Sequence, residues 1–515
     1  MKTPLRRPPS VLLALLALAP FSPAALSRAS AAVPAGAANP ATPPPPQPMR
    51  QLHFPAFAEH TLANGLRVVL VERHTEPAVS LRLVVPAGKL YDPAAKAGLA
   101  SATADLLTQG TASRSEQQIA ATIDGVGGSL SAGSAADFSY VSAAATSDQL
   151  DLALDLLSDV VLHPSFPPAE IERWRRKSLS NLQLQLANAG YLASLAFQHA
   201  VFGSFPYGLP QAGTAETVRA LTRDDLVAFH RAHFLPNAAI LAVVGDFRPE
   251  QALASVERTL GGWARGEAPH PPALQLPGLA GGGGRGMRRV LVIDKPDAVQ
   301  TQIRVGQAAL AYTDPDYFTA SVYNTVLGGG SYARLFQEIR RKHGLAYGAY
   351  SGFAEQLVSG SFAANTSTKT ASTVEALRLT LELIAAMATT PVPAAELDEA
   401  KAYLNGSFPL EIETAGRVAT RVLTAFSYGL GRDFLDSYRE RISAVTAGDI
   451  QRFAATRLHA DRMVIVLVGN AAAFGPDLTK LVGSYETIPA AELDPLAPGM
   501  RRPPTAATAP HPGPP

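Results

Sequence analysis

Two short runs rich in β-branched residues, 66–71 and 79–85, open the first ordered stretch of the chain. Such runs suit strands, because branched side chains pack well on a pleated surface. Two more, 289–293 and 301–305, open a second stretch. Helical patterns follow in each, and each ends on a compact apolar run, 240–244 and 464–468, that reads as a closing strand. The two stretches also repeat one another. Thr222, Asp225, Phe229 and Gly245 return 224 positions later as Thr446, Asp449, Phe453 and Gly469. Pro167, Ala169 and Glu170 return as Pro393, Ala395 and Glu396, each set opening a long amphipathic helix with proline near its first turn. Strands, then helices, then a strand, used twice, predict an α+β chain of two homologous domains.

Proline and glycine punctuate this plan. Residues 32–52 are rich in Ala and Pro and read as an extended tether, so the fold should begin near His53. The segment 271–288 contains Pro277, Gly278 and the run Gly281 to Gly284, a flexible linker between a first domain of 53–270 and a second of 289–490. Residues 491–515 carry repeated prolines and read as a mobile tail.

Composition narrows the function classes. Apolar residues make up 47% and charged residues 17%, which fits globular material, and a net charge of +1 gives little purchase on a phosphate backbone. The densest basic run, Arg173, Arg175, Arg176 and Lys177 around Trp174, reads as a solvated helix face. Residues 1–31 have the form of a secretory signal, with Lys2, Arg6 and Arg7 before an apolar run and small residues at 29–31. That run is short of the roughly 20 residues of a spanning helix, so no anchor is expected after cleavage. The absence of cysteine excludes disulfides, thiolate metal sites and a Cys nucleophile. His230 and His233 lie three apart on a predicted helix but lack an acidic companion at motif spacing, and they read as helix histidines, not ligands. No Gly-x-Ser-x-Gly spacing marks a serine hydrolase.

The segment Thr61-Leu62-Ala63-Asn64-Gly65-Leu66-Arg67-Val68-Val69-Leu70, then Gly98-Leu99-Ala100 and Leu106-Leu107-Thr108-Gln109-Gly110-Thr111, resembles pitrilysin-type (insulinase-like) peptidases of the mitochondrial-processing branch. The resemblance spans both repeats, about residues 53–490, and implies domains that are mainly antiparallel sheet with packed helices. Active members carry His-x-x-Glu-His on a helix between those anchors: histidines at i and i+4 share a face and bind zinc, and the Glu can take a proton from metal-bound water. Here the matching positions are Ser101, Ala104 and Asp105. The family's third ligand, a later Glu, falls on Asn181, or on Leu182 if the gap is one longer. With three ligands usually required, no metal is expected on this chain.

A second segment is better kept. Gly328-Gly329-Gly330-Ser331-Tyr332-Ala333-Arg334-Leu335-Phe336-Gln337-Glu338-Ile339-Arg340 and Arg341-Lys342-His343-Gly344-Leu345-Ala346-Tyr347 resemble the family segment whose Arg and Tyr reach across to the zinc-bearing half. By that resemblance Arg340 and Tyr347, with Gly328, Gly329 and Gly330, are substrate-binding residues. A guanidinium fork and a phenol are suited to hold a peptide backbone and a developing oxyanion. The glycines permit close backbone approach, or mark only a flexible loop.

A deleted metal motif beside a kept Arg and Tyr implies division of labour. The expected role is a non-catalytic, substrate-binding subunit of an exported heteromeric zinc endopeptidase acting on peptides or unfolded polypeptides. Zinc would reside on a homologous partner, and the bacterial periplasm is the expected location. The alternative is a stand-alone peptide-binding or structural pseudopeptidase without a catalytic partner.

Overall fold

The computed structural model of the protein describes residues 53–274 and 289–502. The signal, the tether up to residue 52, residues 275–288 of the linker and residues 503–515 of the tail lie outside the described residues.

Two six-stranded sheets organise these residues. The first is built from β1 (Ala58–Thr61), β2 (Arg67–Glu72), β3 (Ala78–Val85), β4 (Ser129–Ser134), β5 (Ser139–Thr146) and β6 (Ile240–Gly245), in the order β1-β2-β6-β3-β5-β4. The second contains β7 (Val290–Asp294), β8 (Gln300–Ala308), β9 (Ala346–Ala354), β10 (Ser361–Lys369), β11 (Val464–Gly469) and β12 (Glu486–Pro489), in the order β12-β7-β11-β8-β10-β9. Five strands correspond one to one. β2 runs parallel to β6 as β7 does to β11, and the ladders onward to β4 and β9 are antiparallel in both. The outer strands break the symmetry, since β1 is antiparallel to β2 while β12 is parallel to β7.

The repeat is visible in its helix caps. Thr222 and Thr446 each accept from the backbone N–H three residues on, and Asp225 and Asp449 each accept from the cap's own N–H. These capping boxes satisfy N–H groups that a helix start leaves without partners. Pro167 and Pro393 likewise precede the long helices Pro168–Ala187 and Ala394–Glu411.

The continuous apolar runs of β6 and β11 have a physical cause: both faces of each sheet are covered. Along β2 and β6, Val68, Leu70, Leu241 and Val243 face the first half's own helices, while Val69, Val71, Ala242 and Val244 join the core of the second half. What covers that other face is the helix Ala415–Ser427, from the second half, which packs on β3 and β6. The reverse exchange also occurs, with Ala189–Phe202 of the first half packed on β8 and β11. Each half therefore lends a crossover helix to the other's sheet. Arg82 on β3 donates to Thr420 Oγ1 at 2.8 Å, and its counterpart Arg304 on β8 donates to Ser194 Oγ at 2.6 Å. Between the halves, buried Asp137 accepts from the Tyr207 hydroxyl, from the Tyr428 hydroxyl at 2.8 Å and from the Leu357 N–H at 3.1 Å.

The tail departs from expectation. Residues 493–502 are packed, not mobile: Leu493 pairs with Arg501, Met500 is fully buried, and both apolar side chains join the cluster around Ala189–Phe202. Prolines in this stretch shape a turn, and burial of Leu493 and Met500 holds it down. Among the described residues no helix is long and apolar enough to cross a membrane.

Candidate functional site

The helix Leu99–Leu106 carries the degenerate motif. It starts at Gly98, whose φ of 92° lies in the left-handed region and whose close approach to Gly213 leaves no room for a Cβ. Asp92 anchors the start, accepting from Gly98 N–H at 2.9 Å and Ala100 N–H at 2.8 Å. Burial pushes the Asp92 carboxyl up to about 7, against the pull of those N–H groups and of Lys89.

On this helix Ser101, Ala104 and Asp105 share one face, as their spacing requires, but the two polar side chains are bonded within the protein. Ser101 Oγ donates to the Gln211 carbonyl at 2.9 Å and accepts from Gln211 Nε2 at 3.0 Å. Ala104 is sealed in the interior. Asp105 Oδ2 accepts from the Trp174 indole at 3.1 Å, and burial raises its pKa above the usual carboxylate range. Asn181 is exposed on the helix Pro168–Ala187, and Leu182 is buried. One carboxylate, a hydroxyl and an amide do not fit a catalytic zinc. Among the described residues no group of three or more His, Cys, Asp or Glu could hold a metal ion.

Trp174 and Gln211 are site residues that the sequence reading passed over. Trp174 precedes Asn181 by seven positions, two helical turns, so it shares the face that the family resemblance turns toward the motif helix. The basic run around it is also less solvated than expected. Arg175 donates to the carbonyls of Val218 at 3.1 Å and Leu221 at 2.6 Å, satisfying a helix end, while Arg173, Arg176 and Lys177 are exposed. His230 Nε2 lies 2.8 Å from the Val161 carbonyl and His233 Nδ1 3.3 Å from that of Pro86, and their rings pack on Phe234 and Phe229.

In the second half the three glycines close the helix Tyr317–Leu327 against β9. The Gly328 carbonyl accepts from Ser351 N–H at 3.0 Å, and a Cβ at Gly328 would stand 2.3 Å from that nitrogen. A Cβ on Gly329 would meet the Thr325 backbone at 2.8 Å. Close approach, the first of the two readings of the triplet, is what Gly328 and Gly329 provide here. Arg334 then forks onto Glu396 with two bonds of 2.7 Å, tying the segment to the long helix. Phe336–Lys342 winds as a π-helix, a widened turn frequent at functional sites.

Arg340 sits on that turn and Tyr347 on the edge strand β9. The guanidinium carbon lies 4.4 Å from the Tyr347 ring centre and 4.9 Å from that of Phe336. Arg340 and Tyr347 are therefore brought together. They share no hydrogen bond, ion pair or ring contact with Ser101 or Asp105 among the described residues.

Residues 67–209 match the family model described as insulinase (peptidase family M16), and residues 220–404 the one described as the peptidase M16 inactive domain. The chain is 30% identical over 396 residues to an uncharacterized zinc protease of Mycobacterium leprae, covering 76% of this chain and 87% of that one. It is 29% identical to one of Streptomyces coelicolor, with 76% and 85% covered. A solved peptidase M16 inactive domain from Pseudomonas fluorescens superposes with a TM-score of 0.74 at 28% identity, covering 80% of this chain and 98% of that one. A protease from Helicobacter pylori gives 0.73 at 19% identity, with 81% and 100% covered, a likeness of fold.

Proposed function

The chain belongs to the M16, insulinase-like peptidase family as a member without the catalytic zinc site, and from that premise we propose that it is the substrate-binding subunit of a heteromeric zinc endopeptidase. A homologous partner with an intact His-x-x-Glu-His carries the metal and the base. This chain contributes Arg340, whose guanidinium fork holds a carbonyl of the extended substrate, and Tyr347, whose phenol donates to the oxyanion that develops at the scissile carbonyl. The chain is exported by its N-terminal signal, and the pair works in the periplasm on peptides or unfolded polypeptides.

The observation that carries the reading is the contrast between the two sites. Ser101 and Asp105 are tied to Gln211 and Trp174, whereas Arg340 on the π-turn and Tyr347 on the edge strand stack on each other and make no side-chain hydrogen bond among the described residues. The test is co-expression with a homologue bearing the intact motif. Co-purification and peptide cleavage that needs both chains support the proposal. Cleavage by the homologue alone at the same rate would return this chain to the stand-alone or structural reading.

A further inference from the structure

One flank of the second crossover helix, Ala415–Ser427, carries a polar stripe that its packing does not consume. Arg417, Thr420, Arg421 and Thr424 fall at three- and four-residue spacing and so share a side, away from the buried Val418, Val422 and Leu423. The stripe borders two adjoining cavities of about 300 Å³ and about 180 Å³, which have Tyr312, Thr420 and Thr424 in common. Glu411 closes the larger, and the smaller extends to Arg82 and Tyr140 on the first sheet. The cleft thus runs where a helix of one half crosses the sheet of the other. Its walls bring three guanidinium groups against a single carboxylate.

Each arginine is held in place. Arg421 is caged by the rings of Phe408, Phe434 and Tyr438, at 5.7, 5.4 and 4.6 Å, with Glu411 3.4 Å away. Among the described residues its Nε and Nη2 are buried without a hydrogen-bond partner, so its charge is only partly compensated. Arg417 donates to the Leu410 carbonyl, and Arg82 stacks on Tyr140 at 4.7 Å while giving one bond, to Thr420.

The internal repeat provides a control. Arg304 stands opposite Val466 in β11 as Arg82 stands opposite Ala242 in β6, so the two arginines are equivalent. In the second half the next strand offers Asn365, whose Oδ1 accepts from Arg304 at 2.6 Å, and Ser194 takes the other arm. The register sets Ser142 opposite Arg82, too short to reach it, and its buried Oγ has no partner among the described residues. Ser427, on the wall of the smaller cavity, also has a buried hydroxyl with no partner among the described residues. Packing a crossover helix on a sheet therefore does not require an open arginine. In the first half the equivalent arginine, Arg82, lines a cavity.

We propose that this cleft is a carboxylate-binding subsite that gives the protein a preference for acidic polypeptide segments, an inference resting on the peptide-binding reading above. Guanidinium forks match carboxylates, and tyrosine faces accept the apolar stem that carries them. The carboxylate belongs either to Asp and Glu side chains or to a chain terminus.

The experiment is fluorescence anisotropy on the full chain with a labelled unstructured peptide containing several Glu, its Gln counterpart, and both with the C-terminus free or amidated. The expected result is at least about tenfold tighter binding of the carboxylate form at low salt, a difference that shrinks as screening grows. Arg82→Gln and Arg417→Gln should each cut that preference severalfold with an unchanged melting temperature, and Arg82→Lys should retain part of it. Whichever contrast Arg82→Gln abolishes, Glu against Gln or free against amidated, identifies the source of the carboxylate. Equal binding of all peptides would overturn the subsite and leave the peptide-binding reading standing. Binding of none would overturn both. A preference that survives both glutamine variants would place acid recognition elsewhere and overturn the cleft.

Discussion

The guanidinium carbon of Arg340 stands 4.4 Å from the ring centre of Tyr347, although that tyrosine is 84% exposed. A cation over an exposed aromatic face is worth about 0.5–1 kcal/mol, enough to bias a long side chain toward one orientation without locking it. Neither group is spent on another hydrogen bond or ion pair among the described residues. The relationship aims two donors outward from the edge of the second sheet, and it gives the first prediction its form.

Tyr347→Phe removes a hydroxyl and almost no volume from an exposed site, so stability should move by no more than about 0.5 kcal/mol. In the reconstituted pair it should lower kcat more than it raises KM, since the lost bond is made in the transition state. An oxyanion donor is typically worth about 2.7–4 kcal/mol, so the loss should approach a hundredfold or more. Arg340→Ala should change both constants, because a fork on the ground-state backbone also binds the transition state. Steady-state kinetics with size-exclusion chromatography decide the matter, and unchanged kinetics in both variants would leave this chain a scaffold.

Zinc content is the second measurement. The isolated chain, dialysed and analysed for metal, should hold far less than one zinc per chain and show no chelator-sensitive peptide cleavage, since only Asp105 offers a ligand on the motif helix. Trp174→Ala should leave this unchanged. It frees Asp105 but adds no ligand. Stoichiometric zinc with turnover would falsify the non-catalytic reading.

Asp92 predicts a pH dependence. Its folded-state pKa, about 7, lies above the usual carboxylate value near 3.8, so folding favours the protonated form. Its contribution is then fully present below about pH 4 and is lost as pH rises through about 7, by a few kcal/mol at most. Denaturant unfolding between about pH 4 and 8 should show stability from this group falling with rising pH, and Asp92→Asn should flatten that slope. A slope unaltered in the variant would assign it to other groups.

The paired caps offer a test of the repeat. Thr222→Ala and Thr446→Ala each remove an acceptor for a helix N–H and should each cost about 0.5–2 kcal/mol. The two sites lie in different halves and share no partner, so the double variant should be additive to within about 0.5 kcal/mol. Urea unfolding of the three variants would show it, and a large non-additive term would mean that the halves unfold through a shared step.

Sequence by itself determined what is local or chemical. Runs of branched residues marked six of the twelve strands among the described residues, and the 224-residue offset marked the duplication, whose repeated Thr and Asp the structure then shows to be helix caps. The loss of the metal motif was legible through the family resemblance, which sets Ser101, Ala104 and Asp105 where active members carry His, Glu and His. Tertiary structure alone decided which faces meet. That the helices Ala189–Phe202 and Ala415–Ser427 exchange sheets, that the Trp174 indole donates to Asp105, and that Leu493 and Met500 pin a proline-rich return all depend on contacts between residues far apart in the chain. The same holds for Arg82 and Arg304, equivalent in the repeat, of which only Arg304 finds an acceptor on the next strand among the described residues, because Ser142 stands where its counterpart is Asn365. Periodicity says that a helix has an apolar face and a strand two; it does not say what will cover them. That choice is made by shape and polar complementarity between distant segments, and it comes into being only when the chain has closed on itself.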